Sequence, residues 1–155
     1  MNTLDVLVYG QRTIIATVDR YAADDWARIA LGVWTAKDLL GHIGAFEVRF
    51  ADQLAPFAGA PVETDLASAD PSTFNDDQAA VRMSWPVERV IAEFLDAHQR
   101  VMRLAALIAP EVWREIGTIP WYGAEYSLDD LVVYQQYGHK REHDPQLAAV
   151  LEQQR

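Results

Sequence analysis

The chain has 155 residues, half of them hydrophobic, with 13 Lys and Arg against 23 Asp and Glu, a formal net charge of −10, and no cysteine. That acidic balance argues against nucleic-acid binding driven by counterion release and against a polybasic membrane-surface helix. The lack of cysteine excludes a disulfide framework, a thiolate zinc site and a cysteine nucleophile, so any metal must rest on His and carboxylates and any reacting thiol must come from outside.

Length and apolar content suit a single domain over residues 1–155 that closes its core without covalent staples. The N-terminal stretch lacks a signal-peptide pattern, and no run approaches the roughly 18 apolar residues of a membrane span. A cytoplasmic protein with no membrane partner is expected.

The dominant period is helical. Residues 3–26 place Leu4, Leu7, Val8, Ile14, Ile15, Val18 and Tyr21 on one stripe. Gly32 punctuates, and Thr35 with Asp38 reads as a capping box opening a second helix over 36–57. Its stripe is Leu39, Ile43, Phe46, Phe50, Leu54 and Phe57. Residues 58–73 form a long connection, followed by a short helix over 74–83. Ser84, with Pro86 in the first turn, is expected to open a third long helix carrying Val90, Phe94, His98, Val101 and Ile108 inward. A second connection, 111–126, holds Trp113, Trp121, Tyr122 and Tyr126. Ser127 and Asp130 repeat the capping box for a fourth helix. Pro145 is expected to stop or kink that helix near His143, with Asp144 as N-cap of a new C-terminal segment. No segment reads as a strand. The expected fold is all-α: a four-helix bundle with a long crossover after the second helix.

His139 and His143 stand at i, i+4, close enough on one helix face to share an ion. A regular helix of about 100° per residue groups Leu128, Val132, Gln135, His139, His143 and Val150 in one sector, so both imidazoles point into the bundle. His42 borders the apolar stripe of the second helix and supplies a third vertex. Three protein ligands leave coordination positions open, as catalytic metal sites do. His98 reads as a packed, hydrogen-bonded histidine. Glu47 and Glu142 are the nearest carboxylates in sequence, candidates to orient an imidazole or act as general base. Trp121, Tyr122 and Tyr126 either wall a pocket or cover a core end. The run His139-Lys140-Arg141-Glu142-His143 also fits the inverted zinc-protease pattern H-x-x-E-H. The short chain and the third ligand at His42 weigh against that reading.

The segment from Trp34 through Gly41-His42 to Glu47 resembles the second-helix signature of the DinB/YfiT-like superfamily, and Tyr137-Gly138-His139 through His143 resembles its fourth-helix signature. The stretch Phe74-Asn75 through Ser84-Trp85-Pro86 and on to Phe94 is similar to the region between them. The resemblance implies a four-helix bundle whose His42, His139 and His143 bind a divalent ion, Zn or Ni, with waters completing the shell. It further implies activation of a low-molecular-weight thiol, as in the bacillithiol S-transferases and mycothiol-dependent maleylpyruvate isomerases among the relatives. A small electrophilic substrate is then expected. Alternatives are a metal-dependent hydrolase or a non-enzymatic small-molecule binding or stress-resistance protein. The resemblance, with the aromatic residues in the connections, leads us to expect a homodimer.

Overall fold

The computed structural model describes residues 2–153. Four long helical stretches carry the fold: α1 (Thr3–Val18), α2 (Ala36–Leu54), α4 (Val87–Ala105), and a rod made of α5 (Leu128–Leu131), a π-helical segment (Val132–Tyr137) and α6 (Gly138–Val150). A shorter helix, α3 (Phe74–Arg82), lies in the connection after α2. The architecture is the expected all-α bundle.

Contacts between helices give their directions. Gly41 lies against Val90, Gly44 against Phe94, and Asp52 pairs with Arg100, so α2 and α4 run parallel. Thr3 bonds Asp129, Gly10 meets Tyr137 and Lys140, and Thr17 bonds Asp144, so α1 and the last rod also run parallel. Parallel neighbours cannot be joined by a tight turn, which accounts for the long connection between α2 and α4. Asp52 holds that connection to the bundle. Its carboxylate accepts from the backbone N–H of Glu63 at 3.1 Å and of Thr64 at 3.2 Å, and from Arg100 at 2.8 Å. Arg82 of α3 reaches Glu93 of α4 with two bonds of 2.6 and 2.9 Å.

The core divides into two apolar clusters. One gathers Leu7, Phe50, Leu54, Val101, Leu104, Leu128 and Leu131. The other gathers Ile14, Leu39, Ile43, Val90, Phe94, Leu147 and Val150. Between them, Gln11, Glu47, His98 and Lys140 interrupt the stripes of all four long stretches.

Several boundaries differ from expectation. The first helix ends at Val18, and residues 23–27 form a separate 3-10 turn. Two short strands are present, β1 (Ile29–Leu31) and β2 (Trp34–Thr35), paired antiparallel around Gly32, whose φ of 58° suits a residue without Cβ. Both capping boxes form as expected, at Thr35 with Asp38 and at Ser127 with Asp130. Ser84 does not cap α4; Pro86 occupies the N-cap without a side-chain bond, and Lys37 instead donates to the carbonyls of Met83 and Trp85.

The largest correction concerns Pro145. The helix passes through it to Val150 without a new N-cap. Tertiary contacts outweigh the lost backbone bond: Leu147 and Val150 are fully buried, Thr17 donates to Asp144 at 2.5 Å, and Tyr21 donates to the Leu147 carbonyl at 2.6 Å. The carboxylate expected to cap a helix is spent on α1 instead. The unforeseen disturbance lies upstream, in the π-helical turn.

Candidate metal centre

His42 leaves the second turn of α2 toward α6, and His139 and His143 leave the first turns of α6 toward α2. Their Nε2 atoms converge: His42 to His139 at 2.8 Å, His143 to His139 at 3.0 Å. The hairpin turn at Gly32 brings Trp34 against the His42 ring, at 5.0 Å between centroids, and Phe46 packs on both His42 and His139. His42 and His143 are buried, while His139 is the partly open member of the three.

The donor set favours a cation at this point. Gln146 Oε1 can only accept, so His143 Nδ1, 2.7 Å away, carries that ring's proton and its Nε2 presents a lone pair. His139 Nε2 can hydrogen-bond to one neighbour at most, leaving its other close contact without a hydrogen bond. His42 Nδ1 is buried with no hydrogen-bond partner. Two nitrogens bound to one ion at about 2.0–2.1 Å and near a right angle stand about 3 Å apart, which matches the spacing here.

Burial keeps the His42 and His139 rings neutral, the form a metal requires. It pushes His42 down to about 4, with His143 adding to the effect. It pushes His139 down to about 3, helped by His42 and His143. Among the described residues these three histidines are the group able to hold a metal ion.

The other candidates go elsewhere. Glu47 is fully buried but faces no imidazole of the cluster; one carboxylate oxygen contacts Lys140 Nζ and the other lies 3.5 Å from His98 Nδ1. Glu142 is exposed. Neither is placed as a general base at the cluster, and the exposed Glu142 removes the carboxylate that the inverted zinc-protease pattern needs. His98 stands outside the cluster, pushed down to about 4 by burial, and its contact with Glu47 is longer than a hydrogen bond. Tyr122 and Tyr126 pack on the cluster around Leu54 and Leu128 and so cover a core end; Trp121 is largely exposed. Trp34 and Phe46 supply the aromatic wall instead.

Two residues escaped the reading of sequence. Gln146, three positions after His143, orients its ring; the i, i+3 spacing was visible, but glutamine at a helix surface carries no distinctive signal. Lys140 is 2 % exposed, although its position between two ligand-type histidines reads as a solvated charge. Burial pushes its ammonium down to about 7, and the Glu47 carboxylate is the partner that favours the charged form.

Fold and cluster together define a helical bundle with an interior three-histidine site able to hold a metal ion. The family model of the DinB superfamily matches residues 7–147, and the chain belongs to that superfamily. No curated protein and no solved structure matches it.

Proposed function

We propose that this protein is a divalent-metal-dependent enzyme, with Zn or Ni on His42, His139 and His143, that adds or transfers an external low-molecular-weight thiol to a small electrophile. The convergence of three Nε2 atoms at 2.8 and 3.0 Å carries the proposal. A divalent ion there would lower the pKa of a coordinated thiol or water toward neutrality and so supply a nucleophile at pH 7. Three ligands leave coordination positions for that nucleophile. The absence of cysteine requires the thiol to enter from solution, and membership of the DinB superfamily supports the choice of a metal-centred reaction.

The chain's own residues have separable tasks. Gln146 holds the His143 ring by its Nδ1–H and fixes the tautomer. Trp34 and Phe46 shield the rings and lower the local dielectric. The partly open His139 marks the side from which a small molecule reaches the cluster. Elemental analysis of the purified protein, followed by turnover of a panel of electrophiles with glutathione, mycothiol and bacillithiol, tests the reading. Turnover with water alone would identify a hydrolase. Tight binding of a small molecule without turnover would identify a non-enzymatic binding protein.

A further inference from the structure

The segment 132–137 is wound as a π-helix, wider than the α-helices on either side. Such a turn contains an extra residue and sets back everything after it by about 100° relative to a straight α-helix. The burial pattern records that shift. A regular helix through Leu128 and Val132 would carry Gln135 inward and leave Lys140 at the flank. Instead Gln136 and Lys140 are buried, with Leu147 and Val150 behind them, and His139 lies at the stripe's edge. The orientation of both histidines on α6 therefore depends on the π-turn.

Something must favour that phase, because a straight helix would satisfy its backbone equally well. Lys140 has one buried partner, the Glu47 carboxylate, and meets it in the phase observed. The path of the lysine stem is cut to fit: a Cβ on Gly10 of α1 would stand 3.3 Å from Lys140 Cδ. Glu47 is in turn one helical turn and a residue beyond His42 on α2. The pair thus ties the helix that carries His42 to the helix that carries His139 and His143.

We propose that the Glu47–Lys140 pair is a positioning device that selects the π-wound phase of the last helix and thereby aims His139 and His143 at His42. A stray buried charge would be costly, so the pair holds as a unit: both partners present, or both replaced. Glu47 and Lys140 are positioning residues and touch no reacting atom.

The test compares wild-type protein with the double variant E47L/K140M, which removes both charges and leaves apolar side chains of similar length. Three quantities are measured: the melting temperature without metal, ring-proton NOEs between His42 and His139 in the metal-free protein, and the affinity for Zn2+. We expect a melting temperature equal to or above wild type, loss of the ring NOEs, and Zn2+ affinity weaker by about tenfold or more. Unchanged NOEs in a folded double variant would overturn the proposal. If the double variant does not fold, E47Q carries the test: it keeps an acceptor but loses the charge that draws Lys140 inward. Weakened ring NOEs in E47Q support the device and unchanged ones overturn it. The Zn2+ readout rests on the function proposed above, whereas the NOEs do not. A wild-type protein that takes up no Zn2+ would refute that function, with the NOEs still deciding whether the pair aims the rings.

Discussion

His42 and His139 present their Nε2 atoms to one another at 2.8 Å across 97 positions of sequence. Neither ring gains a conventional hydrogen-bond network from this closeness, and the third ring, His143, joins at 3.0 Å. The arrangement is costly for an empty apolar interior and economical for one that holds a cation. The expected behaviour of variants follows from that difference.

Removal of one ring should empty the site. His139→Ala is expected to lower bound Zn or Ni at pH 7 from near one equivalent to a small fraction, and His42→Ala to do the same. His98→Ala should leave metal content unchanged, because His98 faces Glu47 outside the cluster. Elemental analysis after dialysis decides the matter. Loss of metal from His98→Ala with retention in His42→Ala would place the site wrongly.

Acid should act on the metal-free fold before it acts on carboxylates. Burial holds His42 and His98 down to about 4 and His139 down to about 3, against an ordinary value of 6.5. Between pH 6.5 and about 4 the unfolded chain therefore binds protons that the folded chain refuses. Stability is full above pH 6.5 and falls as the pH drops through that window, by about 1.4 kcal/mol per pH unit for each ring engaged. Bound metal opposes this and should hold the rings neutral to lower pH. Melting curves from pH 8 to 4, with and without Zn2+, should diverge toward acid; a metal-free melting temperature flat across the window would contradict the burial of these rings.

Gln146→Leu isolates the orienting bond. The His143 ring would lose the acceptor on Nδ1 while its packing is kept. Metal affinity is expected to fall about 10- to 100-fold with a melting temperature close to wild type. Competition with a chelator of known affinity measures it.

How much of this was legible beforehand varies from element to element. Capping boxes at Thr35 and Ser127 announced two helix starts, because a short polar side chain and a carboxylate three residues later have few other uses before an apolar run. The histidine at 42 and the pair at 139 and 143 stood out against apolar stripes. The π-turn carried no such mark: Val132-Val133-Tyr134-Gln135-Gln136-Tyr137 is compatible with an ordinary helix, and only packing of both ends reveals the extra residue. With the phase unknown, Lys140 could not be read as buried, nor Glu47 as its partner. Pro145 misled in the opposite direction, since a local preference yielded to Leu147 and Val150 buried in one apolar cluster with Ile14 of α1 and Leu39 of α2.

The anchor at Asp52 should matter for stability and not for metal. Asp52→Ala leaves Arg100 without its buried partner and frees the backbone of Glu63 and Thr64. A loss of roughly 3–5 kcal/mol is expected, read by urea denaturation, with metal stoichiometry in the folded protein unchanged.

Self-association is a separate expectation. Tyr9, Trp121 and Tyr134 are each more than half exposed, at 62, 55 and 61 %, and aromatic side chains of this kind are enriched at interfaces. Sedimentation equilibrium at micromolar concentration should give twice the 17.4 kDa of one chain; a single 17.4 kDa species would exclude a homodimer.

The π-turn leaves one residue of slack in the length of the last rod. Any one of Val133, Tyr134 or Gln135 can be exchanged for another helix-compatible residue with little consequence, since none is fully buried. Excising one of them is a different operation. The rod would close into a regular α-helix of unbroken hydrogen bonding, and His139, Lys140 and His143 would keep their direction toward His42, because the residue removed is the one that the π-turn holds in excess. A one-residue deletion here should thus spare the site, whereas one between His139 and His143 would break their i, i+4 spacing, so that the rod tolerates a change of length in this turn and not beyond it.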